Sequence, residues 1–206
     1  MTKIKCIGLC LVVISIFFIA LSLLRKKDTF FNLRKVIIDH LKLFKDCKAQ
    51  YFVFYGLPLV FSVGLAILYT AGATFYSELS VILGILLSMM LAILSILSGF
   101  DFSHRSEAEN NRAYKVVNET INAIIFDSVL CIFLMIYGLI IIVLEGASLP
   151  KLPINVAIIK AILSGAAYYI FTVILLNLLL IIKHMSNIIK YRMIIKKEEK
   201  NDTTGA

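Results

Sequence analysis

Five apolar runs of about 20 residues, the length that crosses a hydrocarbon core, set the limits on what this chain can fold into. They are Ile4–Leu24, Tyr51–Thr70, Val81–Gly99, Ile124–Leu144 and Ile154–Ile182, and they take up more than half of the 206 residues. The expected class is all-α, a polytopic transmembrane helical bundle of four to five spans with amphipathic helices on its cytoplasmic side. The longest polar intervals, Arg25–Gln50, Phe100–Thr120 and Lys183–Ala206, each hold fewer than 30 residues. No soluble enzyme core fits in them, so any soluble machinery belongs to a partner. A composition of 60% hydrophobic and 17% charged residues agrees, being far from that of a soluble domain.

The basic residues sort the loops. Of 21 Lys and Arg, 8 lie in Arg25–Gln50, 3 in Phe100–Thr120 and 6 in Lys183–Ala206, while Ala71–Leu79 has none. By the positive-inside rule those three basic segments, including the C-terminus, are expected in the cytoplasm. The net charge of +8 is then mostly charge at the inner leaflet, attracted to anionic headgroups, and gives no reason to expect direct nucleic-acid binding. Cys6, Cys10, Cys47 and Cys131 form no CxxC pair and read as small hydrophobes.

Taken in order, Ile4–Leu24 reads as an uncleaved N-terminal anchor, because Arg25, Lys26 and Lys27 follow it directly. Residues 25–50 form a basic cytoplasmic segment in which Phe30, Leu33, Ile37, Leu41 and Phe44 make an apolar stripe of helical period. Arg34, Lys35 and Lys42 lie on its other sides. Such a helix rests in the membrane interface beside its own bundle or docks a soluble partner. Residues 51–99 are expected to form a transmembrane hairpin turning at Ala71–Leu79, with Gly56 and Pro58 kinking its first arm. On the second arm Ser80, Gly84, Ser88, Ala92 and Gly99 keep one face nearly bare, open to close helix packing.

Residues 100–120 are a polar stalk carrying Arg112 and Lys115, with a capping box at Ser106–Glu109. Its Asp101, His104, Glu107 and Glu109 match no metal-ligand spacing, and a solvated, capped turn is the simpler reading. The second hairpin occupies residues 121–182, followed by a basic tail over 183–206 that ends in a disordered NDTTGA. Asp127 lies about one turn inside the inner end of its span, where an ionisable residue is costly; it is either functional or turned toward the headgroups or Lys115. In the last span Ala157, Ala161 and Gly165 repeat the small stripe, so this helix and Ser80–Ala92 are expected in close contact, within or between subunits. Lys160 can snorkel at the outer end, and Asn177 is a candidate for an interhelical hydrogen bond.

The sequence has no Walker A loop, GxSxG, HExxH, GxGxxG or EF-hand pattern. No catalytic residue, cofactor site or metal site is expected, and the chain does not read as an enzyme. His40, His104 and His184 read as ordinary polar residues, and the lack of charges at mid-bilayer argues against transport.

LSILSGFDF leaving one span, AYKVVNETINAIIFD entering the next, and two successive hairpins together give a layout that resembles KwaA, the family of membrane components of Kiwa-type anti-phage defence systems. The resemblance covers most of the chain. It implies a homo-oligomer, a tetramer, in the bacterial inner membrane that responds to phage infection and works with a soluble cytoplasmic DNA-binding protein of the KwaB type. No catalytic residues carry over. The expectation is therefore a sensor or scaffold subunit in contact with membrane lipids, oligomerising through its small-residue faces and docking its partner on Arg34, Lys35, Lys42, Arg112 and Lys115. Two rivals are a pore-forming effector that depolarises the cell and a transporter subunit.

Overall fold

The computed structural model describes residues 33–42, 51–99, 107–146 and 156–204, and the expected anchor at Ile4–Leu24 lies outside them. Five helices follow in order: α1 (Leu33–Lys42), α2 (Phe52–Leu68), α3 (Ala73–Ser98), α4 (Glu107–Gly146) and α5 (Val156–Thr204). There is no strand among the described residues. Segments Ala73–Ser98, Tyr114–Gly146 and Ala157–Lys190 are long and apolar enough to cross a membrane. The apolar α2 has 17 residues and so extends about 26 Å, slightly less than a hydrocarbon core. Its side chains Val60, Ile67 and Leu68, like Val81 and Ile85 of α3 and Leu139 of α4, face outward, as lipid-facing surfaces do.

The helices lie in a row, with α3 on α4, α4 on α5, and α5 on α2, while α1 packs against α4. This corrects the expected first hairpin, because α2 and α3 are joined by a short turn but do not pack on each other. The cause lies in that turn, which spans only Tyr69–Gly72 instead of the expected Ala71–Leu79. Tyr69 is extended, with φ −145° and ψ 122°. The Ala71 N–H then donates to Ser164 Oγ of α5 at 2.9 Å, and the Ala73 N–H donates to Glu145 Oε2 of α4 at 2.8 Å. The turn thus crosses the ends of α4 and α5 and leaves its own two helices on opposite sides of them. Glu145 uses its other oxygen for Lys160 Nζ at 2.9 Å, so Lys160 is ion-paired to α4 as well as placed to snorkel.

Pro58 shapes α2. It has no N–H, and its ring crowds the carbonyl four residues earlier, so a regular α-helix cannot pass through it unchanged. The chain answers with a π-helical turn over Phe52–Gly56, closed by the Leu57 N–H on the Phe52 carbonyl. A Cβ at Gly56 would stand 2.8 Å from the Phe52 ring, so any larger residue there would push that exposed ring aside.

The small residues at helix contacts meet partners other than the expected ones. Gly138 of α4 lets α3 approach, its Cβ position lying 3.5 Å from Tyr76 and 3.8 Å from Ser80 Oγ. Gly165 of α5 faces Ala66 of α2, and not α3; a Cβ added to it would lie 3.3 Å from that of Ala66. Within the chain α3 and α5 meet through the rings of Phe75 and Tyr168, with centroids 5.2 Å apart, but their backbones do not come close, so the two small stripes are not brought together there. Gly84 has nothing within 4 Å, and Ser88, Ala92 and Gly99 are exposed. Ser80 and Ser88 donate to the carbonyls of Tyr76 and Gly84, which satisfies both hydroxyls inside their own helix.

The stalk and fourth span form one helix from Glu107, one residue after the expected cap Ser106, which is outside the described residues. The last span and basic tail are likewise one helix of 49 residues, about 73 Å long. It runs through Asn201–Thr204, where disorder was expected, because the preceding Lys and Glu residues are strong helix formers.

Replacing Gly138 with Leu should force α3 from α4 and cost about 1–3 kcal/mol, the usual penalty of overpacking. Gly84→Leu should leave the unfolding of the monomer unchanged, because its face is open. Helicity followed through a denaturing-detergent titration would separate the two, and equal losses would contradict this packing.

Candidate functional site

Three of the fully buried polar side chains, Asp127, Asn177 and His40, meet at one place. Asp127 of α4 and Asn177 of α5 are both fully buried, and Asn177 Nδ2 donates to Asp127 Oδ1 at 2.8 Å. This replaces the simpler reading in which Asp127 turned to the headgroups or to Lys115; Lys115 instead stands 4.0 Å from Glu119. Asp127 Oδ2 and Asn177 Oδ1 are buried as well and have no hydrogen-bond partner among the described residues. Tyr55 of the π turn and Cys131, one helical turn along α4, are near enough to Asp127 to feel its charge.

The third wall is α1. His40 is fully buried and stacks flat on Phe126, with ring centroids 4.0 Å apart and planes 6° from parallel. Its imidazole also interacts with Asn177. Ile37, a member of the apolar stripe, is exposed together with Ile38, and the correction concerns His40, expected to be an ordinary polar residue, which enters the bundle. The arrangement suits a helix whose apolar side meets lipid and whose polar side chain finds partners among other helices. Burial lowers the His40 pKa from 6.5 to about 4, and the contact with Asn177 opposes that shift only in part.

The junction lies at the basic end of the helices. Asp127 is 18 residues before Glu145, about 27 Å along α4, close to the thickness of a hydrocarbon core. Asn177 is 17 residues beyond Lys160. Two polar pairs with matched spacing on antiparallel neighbours fix one register, and Tyr137 Oη donating to the Leu163 carbonyl at 2.9 Å lies between them. That near match of spacing, 18 residues against 17, is the signal that could have joined Asp127 to Asn177 from sequence. Nothing in the pattern marked His40, because its surroundings come from three separate helices.

Of the expected docking residues, Arg34, Lys35 and Lys42 are on α1 and Arg112 and Lys115 on the start of α4, so the packing of α1 on α4 puts them on adjoining elements. Lys115 is exposed; the other four side chains lie outside the described residues. His184 of α5 is half-buried and faces Glu119. Asp101 and His104 are outside the described residues, and no group of three or more His, Cys, Asp or Glu able to hold a metal occurs among the described ones. No protein-family model, curated protein or solved structure matches this chain.

Because undocked α1 binds a proton at His40 more readily than docked α1, the contribution of neutral His40 to docking is fully present above about pH 6.5 and is lost as pH falls toward about 4, by up to about 3 kcal/mol. Amide exchange of Leu33–Lys42 in detergent should rise over that range. His40→Phe should keep the stack and lose the dependence; an unchanged pH response in that variant would remove His40 as its source.

Proposed function

We propose that this chain is a non-enzymatic sensor or scaffold subunit of a bacterial anti-phage defence system, seated in the inner membrane with its C-terminus in the cytoplasm. It oligomerises there, as a tetramer if the resemblance to KwaA holds, and recruits a soluble DNA-binding protein of the KwaB type. The observation that supports this most is the extension of α4 and α5 as unbroken helices beyond their apolar segments, so that Arg112, Lys115 and the lysines after Asn177 are carried on stiff arms beside α1. A stiff basic surface fixed to a membrane bundle is suited to holding a soluble protein in place. Catalysis needs a concave site with converging groups, and the buried junction is closed between helices.

Oligomerisation is assigned to the open face of α3. Gly84 and Ser88 touch nothing in the chain that a larger side chain would displace, and their polar atoms are already satisfied. A second helix could therefore approach there closely.

Tagged protein captured in mild detergent, followed by mass analysis, should give a homo-oligomer with a cytosolic DNA-binding companion. The pair Gly84→Leu and Ser88→Leu should reduce it to a folded monomer, and an intact oligomer would sink that assignment. Charge reversal at Arg34, Lys35, Lys42, Arg112 and Lys115 should release the companion and spare the oligomer. An oligomer without companion, coupled with dye influx on overexpression, would favour a pore instead.

A further inference from the structure

The Asp127–Asn177 pair presents an imbalance that one hydrogen atom would remove. The two planar groups share a single bond, from Asn177 Nδ2 to Asp127 Oδ1. Their two remaining oxygens, Asp127 Oδ2 and Asn177 Oδ1, are buried and meet no donor in hydrogen-bond geometry among the described residues, with His40 near enough to Asn177 to interact with it. Buried acceptors left bare are rare and call for an explanation. A metal cation would need more oxygens than this pair supplies. A proton needs only two.

We propose that the pair is a proton-binding site, in which a proton carried on Asp127 Oδ2 is donated to Asn177 Oδ1 and closes a two-hydrogen-bond ring between acid and amide. The proton comes from water, converts a carboxylate into a carboxylic acid, and requires no other reactant. Each element around the site contributes to its electrostatics: His40 from α1 through Asn177, Tyr55 from α2, and Cys131 from α4 itself. The ionisable residues of α3, Tyr76 and Glu78, lie at the opposite end of the bundle, and near this region α3 offers Met90, which accepts from Ser128 Oγ at 3.7 Å. None of these supplies a fixed positive charge, so loss of the proton leaves a bare anion beneath α1. The site thereby ties the protonation of a membrane helix to the attachment of a basic surface helix. It does not depend on the defence role proposed above, and either can fail alone.

The test uses the full chain in phosphatidylcholine vesicles, with infrared difference spectra recorded as the pH is raised from neutral. A protonated-carboxyl C=O band should be present at neutral pH, vanish during the titration, and be missing in Asp127→Asn. Amide exchange in Leu33–Lys42 should quicken over the same range in the native protein and stay level in that variant. Absence of the band at neutral pH overturns the proposal. So does its removal by sodium at constant pH, which would assign the site to a metal cation. If Asp127→Asn does not fold, Asn177→Leu keeps the acid and removes its acceptor; the band should then move to the position of a free acid, and a band that stays in place means the proton is not shared with Asn177.

Discussion

A carboxyl group between helices in hydrocarbon has no water to fall back on, and the hydrogen bond from Asn177 to Asp127 is the interaction around which this bundle is arranged. The bond joins α4 to α5 at the basic end, and the Glu145–Lys160 pair joins them at the other. Apolar helix surfaces in lipid slide and rotate at little cost, because lipid tails are as apolar as leucine. Polar pairs at both ends remove that freedom. Once α4 and α5 are in register, the turn at Tyr69–Gly72 finds Ser164 and Glu145 in fixed positions, and α2 and α3 are sent to opposite flanks.

The same constraint explains the placement of the smaller polar residues. Ser80, Ser88, Thr120, Ser164 and Thr172 each donate to a carbonyl four residues earlier, so none brings an open hydroxyl into the membrane. Ser164 also accepts from Ala71 and so serves two helices. Glycine then decides how near the helices come. Gly138 and Gly165 are at contacts the chain makes with itself, while Gly84 is on a face it leaves open. Equal residues in equal patterns thus have opposite uses, depending on which neighbour the polar pairs have placed beside them.

Much of this could be read from residue order alone. Apolar length identified the segments now seen as α3, α4 and α5, because helix formation in lipid depends on local composition. Asp127 and Asn177 stood out singly, since each is an expensive residue in an apolar run. Their union is a property of register between two helices, which neither apolar run carries by itself. The hairpin over residues 51–99 was misjudged for a related reason: a short turn guarantees proximity at one end only, and the arms separate when other helices offer better partners. His40 was the least legible. Its helix has the apolar stripe of a bundle-facing element, yet lipid can satisfy that stripe as well as protein can, and only a polar side chain requires the protein interior.

That last point bears on how the bundle would carry a signal. Among the described side chains of α1, His40 alone is fully buried, stacked on Phe126 beside the Asp127–Asn177 pair, while Ile37 and Ile38 are exposed. Detaching the helix would then cost these polar contacts along with the partial burial of Val36 and Leu41, a balance that an electrostatic change beside His40 can tip. α4 and α5 cannot take up such a change in a loop, as both run unbroken from the membrane into the basic region. The junction lies where those helices leave the hydrocarbon, so an altered charge there acts at the base of both arms. A chain with few charged groups in its membrane has placed one of them at the point of greatest leverage.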